Sequence, residues 1–403
     1  MKILFLTPHL PLNSGSGGSI RSYQIYENLR QLSTVDILCC NGTGLRHRDV
    51  AQFKKEHRYQ GNVRIPWVVP WFAKRKNPNE KFLRFLERNQ YDYIVVRYYW
   101  SAFWFGLIGA ENIILDCDDC PLELEIQKQN RLSINKRYFS STLQKIKNIF
   151  YKKRYLTDIS RVPVVTFSKK SHAIPWKSNF VILPNKIQPS SPPPKTVNHS
   201  VDEFVVVFVG TLSYGPNFEG LDHFICNIWP SITAKYPRTT LKIVGGGLPA
   251  RYRKKWGQLE CVKLCGFVEN IDEVYSDAHI SISPIFTGSG THIKIIESLL
   301  HSTTMVISKL AHRGYEKTLM DGKSLYVASD DQEYIDKIFY LIKNPRFRKK
   351  MERNGKINAL TFHAVKDYEN DFVDIINIKM KNQMQTASND IETYISDLDA
   401  AKE

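Results

Sequence analysis

The amino-acid sequence predicts an α/β protein of two doubly wound domains facing one another across a cleft, and three observations carry that expectation. Short apolar, β-branched runs alternate with longer amphipathic stretches through both halves, the pattern of parallel strands joined by crossover helices. A chain of 403 residues exceeds the length over which one core keeps growing, so two domains are expected. Between the halves, Lys186-Ile187-Gln188-Pro189-Ser190-Ser191-Pro192-Pro193-Pro194-Lys195 suits neither a helix nor a central strand and reads as a linker.

The elements follow in order. In the first half, strands are predicted at Lys2–Thr7, Val35–Cys39, Tyr93–Arg97, Ile113–Asp116, Val162–Phe167 and Val181–Leu183, with helices between most of them. The pattern restarts with strands predicted at Phe204–Gly210, Thr240–Val244, Val262–Cys265, His279–Ser283, Thr304–Ser308 and Ser324–Val327. This gives a first domain over 1–185, a linker over 186–202 and a second domain over 203–363. A helix near 364–380 is expected to complete the first domain, ahead of a polar tail over 385–403. No short-period repeat is present, which sets a solenoid aside.

Composition narrows the function. Hydrophobic content of 42% and charged content of 24% are those of soluble globular chains, so disorder is not the main story. A formal net charge of +16 favours a phosphate-bearing partner: nucleic acid, anionic lipid or a phosphorylated substrate. The basic residues form no RRM, KH, zinc-finger or helix-turn-helix arrangement, so a nucleic-acid partner is not expected. Seven cysteines, with Cys39 and Cys40 adjacent and the rest scattered, make neither a metal spacing nor a disulfide framework and point to a reducing, cytoplasmic compartment. The opening residues meet Pro8 and Pro11 before a signal-peptide core forms and read as a first strand. The most membrane-like stretch, Tyr93 to Ala110, is interrupted by Arg97. A buried strand running into an aromatic helix accounts for it as well as a membrane span does.

Two glycine-bearing loops lie between a strand and a helix start. After the first strand comes Asn13-Ser14-Gly15-Ser16-Gly17-Gly18-Ser19-Ile20-Arg21, where backbone N–H groups and a helix dipole favour a phosphate. It spells neither G-x-G-x-x-G nor a P-loop, so a flexible turn stays open. The denser cluster is Phe286-Thr287-Gly288-Ser289-Gly290-Thr291-His292-Ile293-Lys294-Ile295-Ile296-Glu297. It brings hydroxyls, exposed N–H groups and Lys294 to a positive helix end, chemistry suited to a diphosphate. Glu297 lies three residues on, on the same side of the helix, where a carboxylate accepts from ribose hydroxyls. The alternative is a surface pair of Lys294 with Glu297.

Gly-Ser-Gly-Thr-x-x-Lys-x-x-Glu over Gly288–Glu297 resembles the donor-site motif of glycosyltransferase family 4, retaining enzymes of the GT-B fold with two Rossmann-like domains. Further segments agree in order: Phe208-Val209-Gly210-Thr211-Leu212, Gly215-Pro216-Asn217-Phe218-Glu219-Gly220, Ile228-Trp229-Pro230, Leu241 through Gly247, Gly266-Phe267-Val268, and Asn344-Pro345 ahead of a basic helix. The resemblance spans nearly the whole chain and is strongest from Val205 to Asn354. It implies that Lys294, with the backbone of Ser289, Gly290 and Thr291, holds a donor diphosphate. Glu297 would take the ribose, Phe267 and Val268 would flank the base, and Gly210 and Thr211 would line the site. Gly17 and Gly18 would close over the phosphates from the other domain. It implies no metal and no cofactor beyond the nucleotide-sugar co-substrate.

Three positions depart from the pattern. Thr211 stands where many relatives carry arginine, and Ser289 where they carry glutamate. Asp118, in Ile114-Leu115-Asp116-Cys117-Asp118-Asp119, occupies the slot of a histidine near the acceptor side. A carboxylate there takes a proton from an acceptor hydroxyl or stabilises a cationic sugar, which makes Asp118 the candidate catalytic residue. Alternatively Asp118 and Asp119 cap the following helix. His9, Arg97 and His292, near predicted strand ends, read as structural.

From Ile126 to Thr157 there are nine Lys or Arg and no acidic residue, interleaved with apolar residues at helical spacing. A basic amphipathic helix suits an anionic membrane surface, and a solvated helix packed on its own domain is the alternative. The expected function is therefore a retaining transferase of the EC 2.4 class. It would move sugar from a nucleoside-diphosphate donor to a glycan or lipid-linked saccharide in cell-surface polysaccharide or glycoconjugate biosynthesis, at the inner face of the membrane. A sugar-nucleotide epimerase, or a degenerate subunit that binds nucleotide sugar or a partner protein without turnover, stays open.

Overall fold

A computed structural model describes residues 1–12, 17–40, 47–56, 63–64, 80–118, 152–168, 180–189, 203–288 and 290–364. The chain divides into two compact units at Pro184–Asn185. The first holds a sheet of seven parallel strands, β1 (Lys2–Thr7), β2 (Thr34–Cys39), β3 (Val63–Arg64), β4 (Tyr93–Arg97), β5 (Ile113–Cys117), β6 (Val164–Phe167) and β7 (Phe180–Ile182), in the order β3-β2-β1-β4-β5-β6-β7. Side chains alternate between two covered faces. Leu4 and Leu6 of β1 pack with Ile94, Val96, Ile113 and Leu115 on one side. Ile3 and Phe5 pack with Val35, Ile37, Val95 and Ile114 on the other. Burial on both faces is why these strands appear in the sequence as continuous apolar runs.

Helix α1 (Gly17–Leu32) crosses from β1 to β2, with Ile25, Tyr26 and Leu29 in the core. Helices α2 (His47–Glu56) and α3 (Glu80–Asn89) precede β3 and β4. Short α4 (Tyr99–Trp104) leaves the end of β4, so the membrane-like stretch is a strand followed by a helix. Among the described residues no helix is long and apolar enough to cross a membrane. Strand β6 starts at Val164, later than the sequence suggests, because Pro163 has no N–H for the ladder. The two-residue strand β3 at the sheet edge is too short to announce itself in the sequence.

The second unit holds six parallel strands, β8 (Phe204–Val209), β9 (Thr239–Val244), β10 (Val262–Gly266), β11 (Ile280–Ser283), β12 (Met305–Ser308) and β13 (Tyr326–Ala328), in the order β10-β9-β8-β11-β12-β13. One face carries Val206, Phe208, Leu241, Ile243, Ile280 and Ile282. The other carries Val207 and Val244 toward one edge, and Met305 and Ile307 toward the other. The helix after β8 runs from Gly215 to Lys235 with a π turn at Phe224–Ile228. Pro230 supplies the reason, since it lacks an N–H and its ring crowds the carbonyl four residues back. Gly220 lets this helix touch the sheet, for a Cβ there would meet the Pro284 carbonyl at 1.8 Å.

Helix α5 (Ile293–Leu300) follows β11, and the basic helix predicted after Asn344-Pro345 is present as Pro345–Phe362. Residues 190–202 of the linker, the stretch beyond Ala364 expected to complete the first unit, and the polar tail lie outside the described residues. The same holds for 119–151 of the basic stretch, for Asp119, and for Ser289. Positions 152–157 begin a helix over 152–160.

Candidate functional site

In the second unit the strand order reverses between β8 and β11. Loops leaving the carboxyl ends of those two strands diverge, and such switch points are where open parallel sheets bind ligands. Gly210 and Thr211 leave β8, while Gly290, Thr291 and α5 follow β11. Lys294, in the first turn of α5, bridges the two sides. Its Nζ donates to Asn217 Oδ1 at 2.7 Å, and Asn217 Nδ2 donates to the Thr211 carbonyl at 2.8 Å. The ammonium also lies 4.4 Å from the centre of the Phe208 ring. A Cβ at Gly210 would lie 3.1 Å from both Lys294 Nζ and Asn217 Nδ2, so the missing side chain leaves the lysine room to arrive.

Burial pushes the Lys294 pKa down to about 7, against the opposing pull of Glu297. Near neutrality the amine is therefore divided between charged and neutral forms, and an anion placed beside it would restore the charge. The helix start adds to this field. Helix α5 begins at His292 without a side-chain cap, as do the helices that start at Gly215 and Ala250, and Ile293 N and Ile295 N donate to the Thr291 and His292 carbonyls at 3.1 and 2.9 Å. Backbone N–H groups of an uncapped first turn attract anions. The Thr291 hydroxyl is tied to Asn185 Nδ2 at 2.7 Å, and Gly288 takes φ +117°, a region that glycine enters without strain.

One turn along α5, the Glu297 Oε2 accepts from the Tyr275 hydroxyl at 3.4 Å. Burial raises the carboxyl pKa of Glu297, with His301 acting the other way. Lys294 thus turns to Asn217 and Glu297 to Tyr275, in place of a surface pair. The neighbouring loops are laced together: Gly210 N donates to the Val244 carbonyl at 3.0 Å, Gly245 N to the Gly266 carbonyl at 2.7 Å, and Leu212 N to the Gly246 carbonyl at 2.8 Å. Gly245 has φ +145° and a Cβ there would lie 1.9 Å from the Gly210 carbonyl, so only glycine fits. Beyond this weave Phe267 is 71% exposed, while Val268 packs on the cluster containing Tyr275. Gly210, Thr211, Phe267, Val268, Gly290, Thr291 and Lys294 therefore belong to loops or a helix start at the carboxyl edge of one sheet, with Glu297 one turn further along α5.

In the first unit the reversal falls between β1 and β4, and the crevice position is filled by charge. Asp116 at the end of β5 accepts from Arg21 Nη2 on Oδ1 at 2.5 Å, from Arg97 Nε on Oδ2 at 3.0 Å, and from the Thr166 hydroxyl at 2.7 Å. Asp118 accepts from Arg97 Nη2 at 2.9 Å and lies 3.6 Å from Arg21 Nε. Arg97 Nη1 also donates to the Gly18 carbonyl at 2.5 Å and the Ser22 hydroxyl at 2.9 Å. Both arginines and Asp116 are buried, and although burial opposes it, the Arg21 and Arg97 charges hold the Asp116 pKa down at about 2. Tyr98 follows at φ +69°, a backbone strain of about 1–3 kcal/mol for a non-glycine residue, and its hydroxyl lies 3.3 Å from Arg97 Nη2. His9 packs where a Cβ on Gly18 would meet its ring at 2.6 Å. Burial and Arg97 lower the His9 pKa to about 4.

Asp118, Gly18 and Arg97 are thus brought together, with Gly17 at the start of α1 beside Gly18. Sequence reasoning missed Arg21, Asp116, Asn217 and Tyr275 as site residues. Asp116 carried a usable signal, a charge inside an apolar strand that must be paired. Among the described residues no group of three or more His, Cys, Asp or Glu is arranged to hold a metal ion.

Residues 203–344 match the family model for glycosyl transferases group 1. Among curated protein sequences none matches the chain. Solved structures similar to it include a glycosyltransferase from Rickettsia africae, with TM-score 0.61 and 12% identity over 95% of this chain and 97% of that one. A sucrose-phosphate synthase from Thermosynechococcus elongatus gives TM-score 0.64 and 14% identity over 96% and 100%. Anabaena HepE in complex with UDP and glucose gives 0.63 and 13% over 96% and 100%. The fold is GT-B, and the match to glycosyl transferases group 1 falls within the second unit.

Proposed function

We propose, from the premise that the second unit is a group 1 glycosyltransferase domain, that this chain transfers a sugar from a nucleoside-diphosphate donor to a saccharide or lipid-linked acceptor with retention at the anomeric carbon, as the family 4 resemblance implies. The observation that carries the proposal is Lys294, held by Asn217 at 2.7 Å in the first turn of a helix that has no side-chain cap, its pKa lowered by burial to about 7. A donor diphosphate would favour its charged form, and the charge that develops on the leaving group would be met by the ammonium and the first-turn N–H groups. The family 4 resemblance implies no metal, so activity should survive EDTA. Glu297 would accept from the ribose, with Phe267 and Val268 beside the base. HepE is described with UDP and glucose, which makes a UDP-sugar the first donor to try.

On the first unit Asp118 would receive the acceptor hydroxyl. Its ion pair with Arg97 would hold the carboxylate in place to accept a hydrogen bond from that hydroxyl. The basic stretch 126–157 would rest on an anionic membrane surface on the cytoplasmic side, where lipid-linked acceptors of cell-surface polysaccharide synthesis lie. Thermal stabilisation and sugar transfer with UDP-, GDP- and ADP-sugars test the proposal. A donor at one hundred times its Kd should stabilise the fold by about 2.7 kcal/mol. No stabilisation by any member of the panel would overturn the donor reading; stabilisation without transfer to any acceptor or water would favour a binding subunit.

A further inference from the structure

We infer that Asp272 and His301 position Glu297 toward the ribose of the donor, an inference that rests on the donor reading above. His301 closes the carboxyl end of α5 and is buried. Its Nδ1 lies 2.6 Å from the Glu297 carbonyl and its Nε2 lies 2.6 Å from Asp272 Oδ1. The ring therefore ties the backbone of Glu297 to the carboxylate of Asp272, which lies 29 residues before His301 in sequence. One face of the same ring stacks on Tyr275, centroids 4.7 Å apart at 29°, and the Tyr275 hydroxyl reaches the Glu297 carboxylate at 3.4 Å.

Asp272 and Tyr275 sit one turn apart on the short helix Ile271–Ser276, whose start is capped by Asn270. That helix directly follows the Phe267-Val268 loop, and Val268 packs on the cluster containing Tyr275. Glu297 is thus fixed at its carbonyl through His301, itself held by Asp272, and at its carboxylate through Tyr275, and Asp272 and Tyr275 share the helix that follows the segment proposed to flank the base. Ribose joins base to diphosphate, so a carboxylate that reads its hydroxyls must keep a fixed place relative to the base-side loop. The Asp272–His301 pair is the tie that sets it, and both are positioning residues.

The test is titration calorimetry on the full chain with UDP, 2′-deoxy-UDP and 3′-deoxy-UDP, with the matching GDP and ADP series alongside. Wild type should favour the ribonucleotide over at least one deoxy analogue by about tenfold, since a site built to hold a hydroxyl leaves its carboxylate unpaired without it. In His301→Ala and Asp272→Ala that preference should shrink below about threefold, with affinity for the deoxy analogue unchanged. The Asp272 side chain is 30% exposed, so its replacement opens no cavity and decides the matter alone if His301→Ala does not fold. An undiminished preference in a natively melting Asp272→Ala overturns the inference and leaves the donor reading standing. A wild type that binds nucleotide without regard to ribose hydroxyls removes Glu297 from its role and the inference with it. A wild type that binds none of the nucleotides overturns the donor reading itself.

Discussion

The two units place their polar groups at the same topological position and treat charge in opposite ways. At the first switch point Arg21 and Arg97 face Asp116 and Asp118, two cations against two anions, all inside the protein. At the second, Lys294 finds a neutral amide and a low pKa. A balanced network is finished on folding, whereas a desolvated lysine is finished only by a ligand. Closed charge marks a scaffold that presents Asp118 and Gly18, and open charge marks a site that takes up an anion.

The sharpest way to break this comparison is to remove the hub of the closed network. Asp116→Ala leaves two buried guanidiniums to share Asp118, and removing one partner of a buried pair costs about 3–5 kcal/mol. Urea unfolding at pH 7 measures it. Because the Asp116 pKa is depressed in the folded state to about 2, its contribution is present above the ordinary carboxylate pKa and lost as pH falls toward 2. The gap between wild type and variant should therefore close across that acid range. A loss below about 1 kcal/mol would mean that the network is solvated and its charges are not closed at all.

The open site should respond in the reverse sense. Lys294→Ala is expected to lower kcat/KM for the preferred donor by about 10²–10³-fold, the usual effect of removing one preorganised donor to a leaving group. Stability should move the other way. The folded pKa of Lys294 lies below its unfolded value, so the folded state disfavours the ammonium, and wild-type stability rises as pH climbs from about 7 toward the unfolded lysine value. Lys294→Met escapes that penalty: it should be more stable than wild type at pH 6 and indistinguishable near pH 10. A Lys294 variant that destabilises the fold at pH 6 as Asp116→Ala does would show both switch points to be scaffold.

A smaller effect sharpens the same contrast through binding. If the donor pulls the ammonium form into place, Kd for a nucleotide sugar should rise about tenfold per pH unit above pH 7, because each binding event then takes up one proton. The Lys294→Ala variant should show no such slope. Titration calorimetry in buffers of different ionisation enthalpy reads the proton uptake directly.

How much of this was legible in the sequence depends on the range of the interaction. The strands of both sheets were, apart from the two-residue β3, because burial on two faces writes them as apolar runs such as Ile3-Leu4-Phe5-Leu6 and Val205-Val206-Val207-Phe208. The turn chemistry around Lys294 was, because Gly288, Thr291 and the helix start are adjacent in the chain. The network was not: Arg21 meets Asp116 across 95 residues, and Asp116 shows only that it needs a partner, not which one. Asn217 stood in a recognised segment, yet its bond to Lys294 spans 77 residues. His301 and Asp272 likewise belong to different helices, and no local spacing joins them.

The smallest expected effect asks whether the open site is limited by its single cation. Thr211 stands where many relatives of the resembled family carry arginine, it is exposed, and its carbonyl already anchors Asn217. Thr211→Arg should leave folding stability within about 0.5 kcal/mol, as surface substitutions do. A guanidinium set near Lys294 acts on both states of the site. In the free protein it pushes the amine pKa further down, since like charge disfavours the ammonium. With the donor bound it adds a second cation to the diphosphate, worth about 1–3 kcal/mol if the hydrogen bond forms. The two act at different pH: at acid pH, below the lowered Lys294 pKa, the amine is charged in either protein and the variant should bind donor more tightly, by about fivefold or more. As pH rises, its affinity should begin to fall earlier than in wild type. Tighter binding with an unmoved pH profile would place the new arginine away from Lys294; weaker binding at acid pH would show that the pocket around Asn217 admits one cation and no more.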